Sequence, residues 1–229
     1  MKNFSIKKIL ILVTILALPG FLYYLLEEKG KNRYKTLAYF GPKTPADTFH
    51  SKMGKKIRDT IYHEVKLPVL TDQEGKKFDF NSEKDQIFVF NLFYTQAGHP
   101  ALIANLAVSK FAQSFQRNER VKFLSITLNP EVDTQKRLNL YADSLNVNYG
   151  QHKLLTGEKD SIYLAVKNSL LLDVNNTTPI SYTNMMVLVD YKHRIRGIYE
   201  VANAESLLRL EDEIKVLIAE ELRNINDGR

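Results

Sequence analysis

The chain has 229 residues, a hydrophobic fraction of 44% and a net charge of +6, and it contains no cysteine. The lack of cysteine excludes disulfide bonds, thiolate metal sites and a cysteine nucleophile. The charge is uneven: residues 29–58 hold nine basic side chains and one acidic, a net +8, and residues 1–28 carry +1, which leaves −3 for residues 59–229. We therefore expect no basic face over the globular part and no nucleic-acid partner.

The first predicted element is a membrane span. Residues 9–26 form an uncharged, largely apolar run, and a helix of that length covers roughly 27 Å, close to the thickness of the hydrocarbon core. A cleaved signal peptide is the alternative, but no small-x-small cleavage site follows the run. We expect an uncleaved single-pass transmembrane anchor over residues 1–28. Basic residues lie on both sides of the run, so the positive-inside rule does not fix its orientation.

The basic stretch that follows, residues 29–59, is interpreted as a solvated linker. Lysine and arginine beside a membrane are attracted to anionic lipid by roughly 1 kcal/mol each. Membrane lipid is therefore the predicted partner of the anchor. Contact of the basic linker with the same lipid is the alternative to a linker that is simply solvated.

Residues 60–222 have the pattern of one α/β domain, and residues 223–229 form a predicted polar tail. Gln86–Tyr94 and Val121–Leu128 are apolar runs typical of strands buried on both faces. The other predicted elements are, in chain order, extended stretches at 67–71 and 77–80 joined by a turn at 72–75, a helix at 101–116, a helix from Asp133, a short strand at 153–155, a helix from Asp160, a hairpin of 185–190 with 194–199, and a helix from about Ala204.

Strands and helices thus alternate before a final hairpin and helix. This order predicts a mixed sheet flanked by helices on both faces, and a hairpin followed by one helix is how thioredoxin-like domains end. The fold class we predict is α/β, thioredoxin-like, with an N-terminal transmembrane helix.

Four stretches of the domain carry a joint pattern: LPVLTDQEGKKFDF at 67–80, FLSITLNPEVDTQKRL at 123–138, LLTG at 154–157 and VLVDYKHRIRGIY at 187–199. Together they resemble the SCO/SenC family, and the similarity extends over residues 39–219. The resemblance implies a thioredoxin-like domain that serves in assembly of cytochrome c oxidase in the respiratory chain. It also implies a domain on the periplasmic, non-cytoplasmic side of a bacterial inner membrane.

The same resemblance identifies a degenerate site. The family binds copper through two cysteines of an F-T-x-C-P-x-x-C-P motif and a histidine before the hairpin strand. Here His99 falls at the second cysteine, the first has no counterpart, and Tyr182 stands at the histidine position. The degenerate site positions are therefore Gln96, Ala97, Gly98, His99 and Tyr182, with no catalytic, cofactor-binding or metal residue expected among them.

Three functions remain open at this point. The first is a non-enzymatic scaffold, assembly factor or accessory subunit of respiratory cytochrome c oxidase, because oxidoreductase chemistry lacks its sulfur nucleophile. The alternative is a copper chaperone with a site rebuilt around His99, with Met185 or Met186 as soft ligands. The methionines are interpreted as core packing. The third is a binder of small ligands or peptides in the old cleft.

Two further interpretations concern single residues. Asp133 and Glu131 resemble an acid pair, but Asp133 is explained more simply as a helix N-cap. The remaining histidines show no metal-ligand spacing and are expected at the surface or in turns; they are His50, His63, His152 and His193.

Overall fold

The structure is a computed structural model that describes residues 7, 13–15, 17–24, 36–52, 54–147, 150–177 and 179–226. The chain divides into two compact units, residues 1–36 and 37–229. In the first unit, residues 13–15 and 17–24 are helical and exposed. Across the described residues, no helix combines the length and the apolar character that a membrane crossing requires. Much of the predicted anchor, residues 1–28, lies outside the described residues.

The second unit is built on a seven-stranded sheet. The sheet has the order β11-β10-β5-β6-β7-β3-β4, and β5, β6 and β7 are parallel while the other neighbours are antiparallel. Its strands are β3 (Leu70–Asp72), β4 (Lys77–Phe78), β5 (Ile87–Phe93), β6 (Val121–Thr127), β7 (His152–Thr156), β10 (Met185–Val189) and β11 (Ile195–Glu200). A 3₁₀ turn lies at Phe80–Ser82, and β8 (Val174–Asn175) and β9 (Ser181–Tyr182) form a separate two-stranded sheet.

Four helices cover the two faces of this sheet. They are α1 (His99–Ser114), α2 (Gln135–Ser144), α3 (Lys159–Asn168) and α4 (Ala204–Asn226). Helices α1 and α4 pack on the face of β5 that carries Ile87 and Val89, and α3 packs on the face that carries Phe88 and Phe90. All seven residues of β5 are buried, which confirms a strand covered on both sides. The predicted mixed sheet with flanking helices is confirmed, whereas α4 continues through Asn226, into the predicted polar tail.

The predicted linker contains a feature that the sequence did not indicate. Strands β1 (Lys43–Lys52) and β2 (Lys55–Tyr62) pair in register as a separate antiparallel hairpin, with a bulge between Pro45 and Phe49. We call residues 43–62 the ribbon. Nearly all of its described side chains are exposed, so it has no apolar face of its own, and the alternating pattern that predicts a half-buried strand is missing.

The segment that leads into the domain is fixed at the amino edge of the parallel strands, where β10 ends and β11 begins. Fully buried Asp190 accepts hydrogen bonds from Arg194 (Nη2, 2.7 Å) and Arg196 (Nη1, 3.2 Å). Arg196 also donates to the carbonyl of Leu37 (2.9 Å), and both guanidinium groups lie over the ring of Tyr39, 4.7 and 4.3 Å from its centroid. We call this arrangement the Asp190 clamp, since it holds residues 37–39 against the sheet.

Candidate functional site

The degenerate positions lie at the opposite, carboxyl edge of the parallel strands. The loop of residues 94–98 follows β5 and leads directly into α1. In open α/β sheets, ligands bind beyond the carboxyl ends of the strands, at the amino termini of helices. The structure therefore places the predicted site loop where this fold builds its functional sites.

Asp133 holds this loop in place from below. Its carboxylate is fully buried and accepts hydrogen bonds from the backbone N–H of Thr95 (3.0 Å), the hydroxyl of Thr95 and the hydroxyl of Thr127 (2.5 Å). The N-cap of α2 is Thr134 instead, without a side-chain bond. The prediction that Asp133 is a helix N-cap is therefore wrong: its side chain points into the protein and ties the loop to β6. Glu131 is exposed and pairs with Lys159 (3.0 Å), so the two carboxylates do not form an acid pair.

The tip of the loop presents small or exposed side chains. Gln96 and His99 are exposed and Ala97 is half-buried. Gly98, the N-cap of α1, has a φ of +74°, a backbone conformation that L side chains rarely adopt. His99 is the first residue of α1 and lies on the protein surface.

Tyrosines line the site behind this tip. Tyr182, on β9, is half-buried and meets Tyr94 edge to face with ring centroids 6.0 Å apart. Burial, with smaller contributions from Tyr94 and Tyr141, raises the pKa of Tyr182 to about 12. The phenol is therefore neutral at physiological pH and can donate a hydrogen bond, but it does not offer the soft donor that Cu(I) prefers. A polar cavity of about 510 Å³ adjoins Tyr182, lined also by Lys167, Asp173, Asn175, Ser181 and Thr183.

The candidate metal ligands lie on two elements: His99 begins α1, and Met185 and Met186 lie on β10. Within the part of the chain that the structure describes, no group of three His, Cys, Asp or Glu side chains is placed to hold a metal ion. Met186 is fully buried in the core beside Leu188, and Met185 packs half-buried against the other core cluster. Their positions agree with the core-packing interpretation.

A buried polar network behind the loop was missed by the sequence analysis. His152 pairs through Nε2 with Ser125 (2.8 Å), Ser125 donates to Asn91 (2.5 Å), Asn91 donates to Asn105 (2.9 Å), and Asn105 donates to Tyr141 (3.2 Å). The chain of bonds thus joins three strands, α1 and α2. The available signal was the presence of Asn91 and Ser125 inside otherwise apolar strands.

The histidines were predicted at the surface or in turns, which is wrong for His152, while His193 and His63 are half-buried rather than exposed. His152 is fully buried, and this burial lowers its pKa to about 3. His193 lies in the hairpin turn as predicted but is half-buried, with its ring centroid 4.2 Å from that of Phe80. His63 is half-buried and pairs with the carbonyl of Ser169 (2.8 Å). Each finds a packing or hydrogen-bond partner distant in sequence, which local spacing does not reveal.

Comparison with known proteins agrees with this architecture. The sequence model of the SCO1/SenC family matches residues 68–217, which is more than half of the chain and excludes the ribbon. A SCO1/SenC family lipoprotein from Bacillus anthracis is 17% identical with a TM-score of 0.61, covering 68% of this chain and 96% of that one. Comparison with curated proteins gave no significant match.

Two further solved structures show the same fold. BsSco, a member of the Sco family of cytochrome c oxidase assembly proteins, is 17% identical with a TM-score of 0.60, covering 67% of this chain and 92% of that one. Arabidopsis thaliana ScoI with copper bound is 17% identical with a TM-score of 0.54, covering 68% of this chain and 96% of that one.

Proposed function

Because this chain belongs to the SCO1/SenC family, we propose that it is a redox-inactive member that acts as a non-enzymatic scaffold, assembly factor or accessory subunit of cytochrome c oxidase. One observation carries the proposal. The loop at the family's site position is held by buried Asp133, while the chain has no cysteine at all. The support for the loop is retained without the thiolates that copper and disulfide chemistry need.

A loop kept in shape without its reactive groups is suited to contact rather than to catalysis. Exposed Gln96 and His99, with half-buried Tyr94 and Tyr182 behind them, form a surface rich in aromatic rings. Tyrosine is enriched at protein interfaces because it combines a large apolar ring with one polar group. We expect the partner to be the respiratory oxidase or one of its assembly proteins.

The proposed location is the periplasmic side of a bacterial inner membrane, with residues 1–28 as the anchor. The support is the apolar run at 9–26 together with the family. In this arrangement the incoming chain meets the sheet at the Asp190 clamp, on the edge opposite the site loop. The site loop lies at the other edge of the sheet, away from residue 37, and its exposed residues are open to a partner.

The test is a deletion strain combined with purification of the tagged full-length protein in mild detergent. We expect the amount of assembled cytochrome c oxidase to fall in the deletion strain, and oxidase subunits or assembly proteins to be recovered with the tagged protein. A Tyr182→Ala, Gln96→Ala double variant should lose the partner, and Leu164→Ala, an exposed change on α3, should keep it. Unchanged oxidase abundance with no oxidase component recovered would refute the proposal.

The copper-chaperone alternative is decided by a Cu(I) competition titration. The scaffold proposal predicts no binding at sub-micromolar affinity. High-affinity binding that is abolished by His99→Ala, but kept by the matched change of exposed His50→Ala, would establish a rebuilt site instead.

A further inference from the structure

The ribbon is an exposed structure outside the region that the family model matches. Apart from buried Ala46 and half-buried Asp59 and Tyr62, its described side chains are exposed. A two-stranded hairpin that no other element covers is only marginally stable in water. Its pairing over many residues therefore indicates a surface that is used in contact with something else.

The end of the ribbon combines positive charge with apolar side chains. Residues 49–57 contain three lysines, at positions 52, 55 and 56, and no acidic residue. The two aspartates of the ribbon lie nearer its base and are paired, Asp47 with Arg58 (3.0 Å) and Asp59 with His50 (2.6 Å). Lys55 and Lys56 thus make this end of the ribbon cationic, and among the described residues no acidic side chain forms an ion pair with either of them.

Two apolar side chains flank this tip on opposite faces of the ribbon. Phe49 pairs with Arg58 and the next residue, His50, pairs with Ile57, so Phe49 and Ile57 point to opposite sides. They are 49% and 40% exposed. A flat protein surface would cover one of these faces and leave the other in water, whereas a surrounding medium such as the membrane interface covers both.

The base of the ribbon is fixed beside the incoming chain. Tyr62, the last residue of β2, stacks on Tyr39 with ring centroids 4.1 Å apart. Residue 36 follows the apolar run at 9–26 by ten residues, which span at most about 35 Å. The ribbon therefore starts beside the segment by which the chain enters the domain.

We propose that the tip of the ribbon, residues 49–57, inserts end-on into the headgroup region of an anionic membrane. This inference rests on the proposed anchor for its proximity to lipid, not on the scaffold role. The lysines supply attraction to anionic headgroups, roughly fivefold in association per side chain, and Phe49 and Ile57 supply apolar contact at the acyl boundary.

The chain has no tryptophan, so one introduced tryptophan is a unique fluorescent probe. Ile57→Trp and Phe49→Trp would be made in the full-length protein, reconstituted in nanodiscs whose lipids carry brominated acyl chains. We expect quenching of both probes in phosphatidylglycerol-containing discs and little in pure phosphatidylcholine. Leu208→Trp, exposed on α4 near the carboxyl edge of the sheet, is the control and should not be quenched. Unchanged circular dichroism checks that each variant folds.

Charge neutralisation then tests the lysines. Lys55→Gln, Lys56→Gln should weaken the ribbon–membrane association roughly 25-fold, and 0.5 M NaCl should act in the same direction. The matched change Lys76→Gln, Lys77→Gln removes two neighbouring exposed lysines, one just before β4 and one at its first residue, and should have no effect.

Several outcomes would overturn the proposal. These are equal quenching in neutral and anionic discs, quenching of one probe alone, or no quenching of either. Concentration-dependent dimers that dissociate on Glu200→Lys, Asp212→Lys would assign the tip to a second copy, since those carboxylates line a surface groove beside β11. If the chain does not insert into nanodiscs, the proposal of a membrane anchor is refuted. The insertion of the ribbon tip is then tested separately by adding brominated phosphatidylglycerol vesicles.

Discussion

Two buried aspartates at opposite edges of the same sheet show how differently a carboxylate can be held. Asp190 is surrounded by two guanidinium groups and the backbone N–H of Arg194 (2.9 Å). Asp133 is held mainly by the N–H and hydroxyl of Thr95 and the hydroxyl of Thr127, with Arg137 no closer than 3.7 Å. The first holds the incoming chain by charge, and the second holds the site loop by hydrogen bonds. Loop geometry is therefore maintained independently of the reactive groups that the loop has lost.

The largest loss of stability is expected on removing Asp190, the aspartate that is held by charged groups. Asp190→Ala would remove the fully buried carboxylate shared by Arg194 and Arg196 and leave Arg196, which is 2% exposed, with Glu220 alone (2.8 Å). Breaking a buried ion pair in this way costs about 4 kcal/mol. Chemical denaturation of the wild type and the variant measures it. The neighbouring exposed change Lys192→Ala is the control. A loss below about 1 kcal/mol would mean that the clamp is solvated and that the comparison does not hold.

Asp133→Ala should destabilise the protein by about 3 kcal/mol, because it leaves donors of Thr95 and Thr127 buried without an acceptor. The variant should also become sensitive to proteolysis in the loop at 94–98. Thr134→Ala is the matched control, since this N-cap makes no side-chain bond, and it should change the free energy of unfolding by less than about 0.5 kcal/mol. A loss of only about 1 kcal/mol in Asp133→Ala, the usual cost of removing a helix cap, would restore the N-cap interpretation.

His152, on β7, gives a pH-dependent test of the interior between the two edges. The pKa of His152 is about 3 in the folded protein and 6.5 in an unfolded chain. Between these pH values the unfolded state therefore binds a proton at His152 and the folded state does not. Its contribution to stability is complete above pH 6.5 and is lost as the pH falls towards 3, about 2 kcal/mol by pH 5. His152→Gln retains an N–H for Ser125 and should remove this loss. Parallel stability curves for the two proteins between pH 7 and pH 5 would contradict it.

The smallest predicted loss of stability measures what the ring of Tyr39 contributes to the Asp190 clamp. Tyr39→Leu removes the ring beneath both guanidinium groups and should cost about 1 kcal/mol. Phe40→Leu, next to it and 41% exposed, should cost less. A thermal unfolding comparison distinguishes them, and equal effects would assign the role of Tyr39 to apolar contact alone.

The sequence predicted those parts of the fold that periodicity determines. The run around Phe90 predicted a strand buried on both faces, and the spacing of Leu210, Ile214 and Leu217 predicted a helix facing the core; both are confirmed. The cysteine-free composition likewise defined what the site loop lacks. These features are local, so neighbouring residues are sufficient to reveal them.

Side-chain partners distant in the chain were not predictable in this way. Asp133 precedes a helix and has the residue type of an N-cap, yet its acceptor is used by Thr95, which is 38 residues away. His152 follows a polar stretch, and the neighbouring sequence does not indicate that its side chain is buried and hydrogen-bonded to Ser125. The ribbon lacks periodic apolar residues altogether, so charge dominated its interpretation.

The Asp190 clamp has a mechanical consequence. Tension applied to the chain before residue 37 enters the domain at Leu37, whose carbonyl accepts a hydrogen bond from Arg196 (2.9 Å) and whose N–H donates to Glu220 (3.0 Å). That load passes into the β10–β11 hairpin and α4 and does not reach the loop at 94–98 directly. Motion of the proposed anchor would therefore leave the loop at 94–98, at the opposite edge of the sheet, undistorted.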